Sequence, residues 1–445
     1  MQTGELNNVM NELLGIQFNI EKARADSKVQ NLASYINESM LNSIHKKMDG
    51  KKAKGVDGVT KESYAVNLKE NINILVKRMK SGSYYPHPTR RAYIPKDGSK
   101  KMRPLGISCY EDKLVEDNIA QILTEVYEPK FYNCSFGFRP NRNCHQAVRE
   151  IVESVQYRKV NYIVEADIKG FFDNVEHDWL IKFLEHDIAD KKFIGIIKKF
   201  LKAGVMEDGK YLDSEMGTPQ GNGASPILAN VYLYYVLDMW FEERIKRQSK
   251  GEAYLIRYAD DFVCCFQYKS DAELFYGKLI ERFKRFGLEL ALEKTKIVEF
   301  GRFATANRAK RGERKPETFD FLGFTFYCGM NGSKRFFRCK VKTSRKKFLS
   351  KAKAVKEWIK NNRALPVKEM IQTINQKLRG HYQYYGVTDN IKGIRNYFKI
   401  VRWLLFKWVN RRSQRQSYTT ETFFNGLLKT FPLLEPKICT SLFYR

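Results

Sequence analysis

The sequence lacks the features of a membrane-spanning, secreted or zinc-binding protein. No apolar run approaches the ~18 residues that a spanning helix needs, and the first residues, MQTGELNNVMNELLG, contain no basic segment followed by an apolar core. The eight cysteines are scattered and include no Cys-x-x-Cys pair. We therefore expect no membrane partner, and cysteines that act as small apolar residues in a reducing compartment, the cytoplasm or an organelle interior.

Acidic residues are also scarce relative to basic ones. The 445 residues include 79 Lys and Arg against 50 Asp and Glu, which gives a formal net charge of +29. A charge of this size attracts polyanions, so nucleic acid is the expected partner. Hydrophobic residues make up 43% of the chain, enough for a sizeable core, and the length suggests about two or three domains.

Strands and helices alternate along the middle of the chain, which predicts a mixed body. Residues 90–107 are predicted to form a cation-rich hairpin, and a helix is predicted over 111–127. Beyond Asp167, which ends a predicted strand, we expect a helix capped by Asp173 or Asn174, and then a helix over 179–203. Further expected elements are an apolar helix from Ser225, a helix over 272–286 and a strand within 288–300. A basic loop over 301–317 and short strands over 319–329 are expected to follow.

After residue 329 the chain is predicted to be all-helical. Apolar residues recur at helical spacing in three segments that begin near Phe348, Ile371 and Ile394, and basic residues fill the faces between them. A solvated helical surface would show the same pattern, but the overall charge favours contact with nucleic acid. The loop FGFRPNRNCHQAV contributes Arg139 and Arg142, which we also expect to contact nucleic acid.

Two adjacent carboxylates, Asp260 and Asp261, stand between apolar runs in YLIRYADDFVCCF. Such a pair is costly beside a core unless a cation compensates it, although a type I′ hairpin turn would also tolerate the residues. Asp167 ends another apolar strand. If these strands are neighbours, the three carboxylates meet, and two divalent ions about 3.5–4 Å apart fit between them. Each aspartate alone is equally consistent with a turn or a helix cap.

Cations and a glycine-rich loop suggest a place for a phosphorylated substrate. Lys96 and Arg103 lie on opposite arms of the predicted hairpin, where both side chains would face one groove. The segment GTPQG forms a tight loop from which Gln220 would reach a nucleotide. Taken alone, each of these residues is an ordinary surface residue.

The motifs together resemble one family, the reverse transcriptases encoded by group II introns and their relatives. The resemblance runs from about residue 50 to the C-terminus and includes, in order, GVDGVT, IPKDGSKKMRPLGI, SFGFRPNRNCHQA, ADIKGFFDNV, GTPQG with SPILANVYL, YADD, LALEKTKI, FDFLGFTF and LRGHYQYYGVTDN. It implies an α+β right-hand polymerase with fingers, a palm built on an antiparallel sheet, a helical thumb and an N-terminal helical extension. The implied domains are residues 1–80 for the RNA-binding extension, 81–318 for fingers and palm, and 319–445 for primer-supporting strands and thumb.

The resemblance also implies the activity and its partners. The chain is expected to add deoxynucleotides to a DNA or RNA primer on an RNA template, using two Mg²⁺ ions, and to bind its intron RNA as a maturase. Asp167, Asp260 and Asp261 would be catalytic and hold the metal, together with the backbone of Ile168. The substrate contacts that it implies are Lys96 and Arg103 at the triphosphate, Gln220 and Phe172 at the sugar, Lys294 near the active site, and Leu322 and Gly323 at the primer end.

Departures from the family pattern leave alternatives open. Asn222 stands where relatives often carry glycine, and no cysteine pairs of an HNH-type endonuclease follow the thumb, so we expect no target-site cleavage. An intron-independent reverse transcriptase in phage defence, CRISPR-linked acquisition or DNA repair would share these motifs. A non-catalytic RNA-binding splicing factor would share the basic surface, but its carboxylates would be expected to decay, and all three are present.

Overall fold

The computed structural model describes residues 28–95, 102–213, 215–218, 221–333, 335–412 and 417–443. The helices are α1 (Glu38–Lys47), α2 (Lys61–Ala65), α3 (Leu68–Ser81), α4 (Tyr110–Tyr127), α5 (Cys144–Tyr157), α6 (His177–Asp187), α7 (Lys191–Leu201), α8 (Ser225–Leu233), α9 (Lys269–Arg285), α10 (Ala304–Lys310), α11 (Arg345–Asn361), α12 (Val367–Tyr385) and α13 (Ile391–Val409). The strands are β1 (Thr89–Pro95), β2 (Met102–Ile107), β3 (Tyr162–Ala166), β4 (Val205–Glu207), β5 (Lys210–Leu212), β6 (Ala253–Tyr258), β7 (Asp261–Phe266), β8 (Lys296–Glu299), β9 (Phe319–Phe321), β10 (Phe324–Met330) and β11 (Phe337–Thr343).

Short helical segments complete this list. Single turns of 3-10 helix lie at Leu32–Tyr35 and Phe171–Asp173. Helix α8 continues through two π-helical segments, Tyr234–Asp238 and Phe241–Ile245, before it ends near residue 248. A further π-helical segment, Thr422–Leu427, follows α13.

A four-stranded sheet in the order β6-β7-β3-β8 lies at the centre, and all its pairings are antiparallel. Both of its faces are buried. Along β7, Phe262 and Cys264 pack into one hydrophobic core, whereas Val263 and Cys265 pack into the other. Because both faces are covered, the strand is apolar throughout instead of alternating between apolar and polar residues.

The two cores are built from different parts of the chain. The first gathers α1, α3, α4 and α6 to α9 on one face of the central sheet. The second gathers α5, β9 to β11 and α11 to α13 on the other face. The sheet therefore joins the N-terminal two thirds of the molecule to the helical C-terminal part, and the class predicted from the motifs, α+β, is confirmed.

Two smaller sheets flank the central one. Strands β1 and β2 form the predicted hairpin, in which Ile94 pairs with Arg103, and β4 adds in parallel to β1. Strands β9 to β11 form a second antiparallel sheet. Strand β11 lies in the part predicted to be all-helical, so that prediction is wrong for 337–343, whereas the three predicted C-terminal helices are confirmed as α11, α12 and α13.

Local hydrogen bonds explain other differences from the predicted elements. The helix expected over 179–203 is two helices, because the Asp190 carboxylate caps α7 by accepting from the Phe193 N–H at 3.0 Å. No helix is capped at Asp173 or Asn174; the Asn174 amide donates to the Lys169 carbonyl instead, at 2.9 Å, and α6 begins at His177. The strand expected within 288–300 forms only at β8, and the segment 301–317, expected to be a basic loop, contains α10.

No helix among the described residues is both long enough and apolar enough to cross a lipid bilayer.

A buried ion pair supports the hairpin between β6 and β7. Arg257 and Asp238 are both fully buried, and the guanidinium donates to the Asp238 carboxylate at 2.7 Å. The same guanidinium donates to the Asn230 side chain and to the Ala259 carbonyl, each at 2.9 Å. Gly137 packs on this turn so closely that a Cβ atom there would lie 2.3 Å from the Ala259 nitrogen. The contacts of Arg257 and Gly137 therefore fix the backbone directly before Asp260.

We predict that Asp238→Ala will lower the free energy of unfolding by about 3–5 kcal/mol, because it leaves the buried Arg257 guanidinium without its counter-ion. Chemical denaturation followed by tryptophan fluorescence would measure the change. A matched control is Glu185→Ala, which removes an exposed partner of Lys198 and should cost less than about 1 kcal/mol. Equal losses in the two variants would contradict the importance of the buried pair.

Candidate active site

The strand register brings the predicted catalytic carboxylates to one edge of the central sheet. Ala166 pairs with Phe262, so Asp167 and Asp261 occupy the next pair of positions beyond that pair. Neighbouring strands lie about 4.8 Å apart, which makes the two residues direct neighbours. Asp260 stands in the turn that joins β6 to β7. Residues nearly a hundred positions apart in the sequence are thus adjacent.

The turn that carries Asp260 is tight. Tyr258 pairs with Asp261, which leaves Ala259 and Asp260 as the turn residues. Ala259 has a φ of 57°, and Asp260 is not among the residues with positive φ. This pattern fits a type II′ turn, so the type I′ alternative is wrong. The positive φ at a non-glycine residue is a strained conformation that the contacts of Arg257 and Gly137 stabilise.

Burial and neighbouring negative charges perturb Asp261. Asp261 is accessible from the cleft, but enough protein surrounds its carboxyl group that desolvation, followed by the charges of Asp260 and Asp167, raises its pKa to about 7. The cationic side chains of Lys294 and Lys347 oppose this rise. A carboxyl group that resists ionisation in a cleft is a frequent mark of a functional site.

Lys294 contacts the Asp167 carboxylate directly, and this contact raises the pKa of the lysine. The backbone beneath the pair is fixed by the segment before β8. The Ala291 N–H donates to the Asp167 carbonyl at 2.8 Å, and the Ala291 carbonyl accepts from the Lys294 N–H at 2.9 Å. One short turn therefore positions both the carboxylate and its cation.

The backbone of Ile168 is oriented by the same segment. Ile168 and Leu290 form an antiparallel bridge whose hydrogen bonds run through their neighbours, from the Lys169 N–H to the Glu289 carbonyl and from Ala291 to Asp167. In such a pair the N–H and C=O of the bridged residue point away from that partner strand. The Ile168 carbonyl is therefore directed toward the β7 side, where the other two aspartates lie.

The three aspartates do not form the tightest cluster of potential metal ligands. Among the described residues, the only group whose ligand atoms all lie within 4.8 Å is His87, Cys109 and Asp112. That group has a structural explanation. The buried Asp112 carboxylate accepts from the Tyr84 hydroxyl at 2.5 Å and from the His87 N–H at 3.0 Å, and burial raises the pKa of the Cys109 thiol to about 12.

Phe172 lies just beyond Asp167, in the short helical turn Phe171–Asp173. Its neighbour Phe171 is buried in the first core, whereas Phe172 is only half-buried and packs edge-on against Phe171. The Phe172 carbonyl accepts from the Thr218 N–H at 2.8 Å. The turn that carries Phe172 is therefore tied to the start of the GTPQG loop.

The far end of this loop is anchored by a buried glutamate. Glu116 of α4 accepts from the Ser108 hydroxyl at 2.5 Å, from the Asn222 amide at 2.8 Å and from the Gly223 N–H at 3.1 Å. Asn222 also accepts from the Ala224 N–H at 2.8 Å. Burial raises the pKa of Glu116 to about 8. Asn222, the departure from the family pattern, thus holds the loop against α4.

The predicted triphosphate contacts are only partly described. Arg103 is exposed on β2, opposite Ile94. Lys96 and Gln220 lie outside the described residues, so their predicted roles stay predictions.

The two arginines predicted to contact nucleic acid differ in the structure. Arg139 is 6% exposed, and its guanidinium donates to both carboxylate oxygens of Glu128 at 2.9 Å and to the carbonyls of Tyr132 and Ser135 at 2.7 and 2.9 Å. Because its donors are used inside the protein, we assign Arg139 a structural role, as a correction to the prediction. Arg142 is less buried and bonds to Asn133 at the surface.

Leu322 and Gly323 lie in the same cleft as Asp261. They form the turn between β9 and β10, with φ of 49° and 78°, and the Leu322 carbonyl accepts from the Tyr384 hydroxyl at 2.9 Å. Together with Asp261 they line a cavity of about 680 Å³. Its remaining wall is supplied by α11 to α13 and includes Lys347, Lys351, Lys377, His381, Tyr384, Tyr385 and Tyr397.

Sequence reasoning did not single out several residues that shape this site. Of these residues, Arg257 was the one that the sequence could have indicated. It is a cation within an otherwise apolar strand, and a cation in that position implies a buried partner. Glu116 gave no comparable signal, since a charged residue in an amphipathic helix is ordinary, and His381 stands in the motif LRGHYQYYGVTDN without a role predicted for it. Their importance depends on partners more than 100 residues away for Glu116 and on the cavity wall for His381.

Comparison with known families defines the class. The family described as reverse transcriptase (RNA-dependent DNA polymerase) matches residues 94–326, more than half of the 445 residues. The maturase-specific domain of group II introns matches residues 346–423. The protein is therefore an RNA-directed DNA polymerase that carries a maturase domain. Polymerases of this class act on nucleic acids and use divalent metal ions.

Individual relatives specify the family. The group II intron-encoded protein LtrA of Lactococcus lactis subsp. cremoris is 30% identical over 420 residues, covering 78% of this chain and 68% of LtrA. Protein YkfC of Escherichia coli (strain K12) is 35% identical over 193 residues, covering 43% of this chain and 50% of YkfC. Nuclear intron maturase 2, mitochondrial, of Arabidopsis thaliana is 31% identical over 186 residues, covering 32% of this chain and 25% of the maturase. The chain belongs to the family of group II intron-encoded reverse transcriptases, and the resemblance seen in the motifs is confirmed.

The raised pKa of Asp261 predicts the pH dependence of stability. The carboxyl group ionises near pH 4 in an unfolded chain but only near pH 7 in the fold. Ionisation of Asp261 therefore destabilises the metal-free protein increasingly as the pH rises from about 4 to 7. The loss of stability reaches its full size above pH 7. Asp261→Asn should raise the unfolding temperature in EDTA at pH 8, and the gain should shrink toward pH 5.

Thermal unfolding at several pH values would measure this gain. Asp213→Asn, at an exposed position after β5, is the control and should change little at any pH. A gain at Asp261 that stays constant between pH 5 and pH 8 would show that charge repulsion does not act there.

Proposed function

We propose that this reverse transcriptase extends a primer on an RNA template with deoxynucleotides, and that Asp167, Asp260 and Asp261 hold two Mg²⁺ ions for this reaction. The observation that carries the proposal is the strand register, which makes Asp167 and Asp261 neighbours with Asp260 in the adjoining turn. The surroundings of Asp261 support it, because a bound cation would offset the desolvation and the charges of Asp260 and Asp167 that together raise the pKa of this carboxyl group.

The chemistry of the three residues fits hard divalent cations. Mg²⁺ prefers oxygen ligands, and this edge of the sheet offers three carboxylates and the carbonyl of Ile168. The ammonium of Lys294 already neutralises one of the charges by contacting Asp167. Bound metal ions supply activation of the primer hydroxyl and stabilisation of the leaving phosphate oxygens.

The rest of the site orients the incoming nucleotide. Phe172 is half-buried and follows Asp167 by five residues, and its ring would pack under the sugar and leave no room for a 2′-hydroxyl. The hydrogen bond from the Thr218 N–H to the Phe172 carbonyl ties the start of the GTPQG loop to this turn, which supports a contact between Gln220 and the same sugar. Arg103 and Lys96 would bind the triphosphate from the β1–β2 hairpin, as an arginine fork and a lysine point charge do elsewhere.

We also propose the domain arrangement of a right hand. Residues 1–80 would form the RNA-binding extension, 81–318 the fingers and palm, and 319–445 the primer-supporting strands and the thumb. The division between the two hydrophobic cores supports the last boundary, because β9 to β11 and α11 to α13 pack together in the second core.

The maturase domain favours structured intron RNA as the partner over an intron-independent role. Helices α11 to α13 carry the basic faces predicted to bind RNA, and the maturase-specific match covers most of them. Arg142, which stays near the surface, is a further proposed contact with nucleic acid.

Asp260→Ala should reduce primer extension on an RNA template by more than about 100-fold, because it removes a direct metal ligand and not merely an outer contact. Affinity for the primer–template duplex should remain. Extension would be measured on labelled primer with Mg²⁺, and binding by fluorescence anisotropy. Glu185→Ala, a surface variant, serves as the control for charge. Extension that survives in the Asp260 variant would exclude the metal assignment.

Phe172→Ala should raise ribonucleotide incorporation relative to deoxynucleotide incorporation by about tenfold or more, because the gap admits the 2′-hydroxyl. Single-nucleotide incorporation, with kcat/KM measured for both sugars, would test this. Phe171→Leu is the matched control, since it changes the buried neighbour and should affect stability without altering the sugar preference. If sugar preference is unchanged at Phe172 and altered at Phe171, the two roles are reversed.

A further inference from the structure

Three segments that pack on the second core meet at Gln156, in the last turn of α5. The Gln156 side chain donates to the Phe337 carbonyl at 2.9 Å and accepts from the Cys339 N–H at 3.0 Å, so it pairs with the outer edge of β11. The Gln156 carbonyl accepts from the Arg302 guanidinium at 3.1 Å. The end of α5, the start of β11 and the segment after β8 are therefore fixed beside one another.

An exposed aromatic residue stands next to each of these contacts in the sequence. Tyr157, Phe303 and Phe336 are 67%, 55% and 68% exposed. None of the three packs against another aromatic ring among the described residues. A single exposed apolar side chain is ordinary, but several that share one surface mark a place of interaction.

The surface around these rings carries uncompensated positive charge. Residues 300–312 and 329–340 each contain four Lys or Arg and no Asp or Glu. Some of these basic residues pair with acids elsewhere in the fold. Arg302 and Arg335 are exposed, and neither forms an ion pair with any residue that the structure describes. Charge of one sign that the fold itself does not balance is complementary to a polyanion.

This surface is separate from the catalytic cleft. The β9–β10 turn that lines the cleft lies at one end of β10, whereas Phe336 lies beyond the other end, directly before β11. A strand of seven residues, such as β10, spans roughly 20 Å. A molecule bound at the three rings would therefore leave the cleft free for primer and template.

We propose that Tyr157, Phe303 and Phe336 form a stacking surface for unpaired bases of RNA, and that Arg302 and Arg335 bind the phosphates that join those bases. Every base has a flat π face, so exposed rings beside cations bind single strands with little regard to sequence. Bases within a helix are already stacked on each other, so the surface fits a loop, a bulge or a free end. The inference rests on the proposed function, which makes intron RNA the partner, and it names the kind of segment bound.

The test measures affinity for a short RNA without internal pairing, by fluorescence anisotropy, while a primer–template duplex with a blocked 3′ end fills the cleft. Phe336→Ala and Tyr157→Ala should each weaken binding about fivefold or more. The slope of affinity against salt should not change in either variant, because a ring carries no charge. Phe336→Tyr keeps a ring and should bind like the wild type, whereas Phe336→Leu should bind as weakly as Phe336→Ala.

Tyr85→Ala is the matched control for loss of an exposed ring. Tyr85 is 66% exposed, and the Lys199 ammonium of α7 lies over its ring, on the side of the first core. Its loss should leave the affinity unchanged, and an equal loss of affinity in this variant would overturn the proposal. Arg335→Ala should reduce the salt slope by about 0.7, as loss of one phosphate contact on a single strand does. Full affinity in Phe336→Leu would indicate an apolar surface for a partner protein and would also overturn the proposal.

A measurement on the wild-type protein needs no variant to fold. Unpaired RNA that carries 4-thiouridine, cross-linked under near-ultraviolet light, should label the peptides that contain Tyr157, Phe303 and Phe336, and a fully paired RNA competitor should not reduce this labelling. Labelling confined to other peptides would overturn the inference alone. Failure of the proposed function is distinguishable, because in that case the wild type would neither bind this RNA nor extend a primer.

Discussion

Repulsion between negative charges at one edge of a sheet is the constraint on which the rest of this structure depends. The central sheet brings Asp167, Asp260 and Asp261 together, and desolvation and mutual repulsion keep Asp261 reluctant to ionise. Lys294 offsets part of the charge, but one ammonium does not balance three carboxylates. Stability is lost here to an arrangement that fits the proposed binding of cations, as is common where a site must be preorganised.

Two buried polar networks hold this arrangement from opposite sides. Arg257, paired with Asp238, supports the strained turn before Asp260, and Glu116 binds the loop that follows GTPQG through Asn222. In both cases an ionisable group lies in the core because several hydrogen bonds compensate its desolvation. Such networks fix a single geometry, which a site for nucleotide addition needs more than it needs flexibility.

Much of the fold was predictable because its elements have strong local signals. The β1–β2 hairpin, helix α4, the strands around Asp167 and Asp260 and the helices α11 to α13 follow from periodicity and turn residues. Strand β11 and the break at Asp190 were not predictable, since one depends on pairing with β10 and the other on a single capping bond. Arg139 was misassigned because a loop arginine gives no sign in the sequence that Glu128 will bury it.

By itself the sequence determined the class of chemistry, since charge, motif order and the positions of Asp167, Asp260 and Asp261 all indicated nucleotide addition on nucleic acid. The tertiary structure alone decided which polar residues support that chemistry. The anchoring of Asn222 to Glu116 and the contact of Lys294 with Asp167 each join residues more than 100 positions apart in the chain. Local patterns record propensity and burial, whereas contacts over such separations exist only once both cores have formed on either side of the sheet.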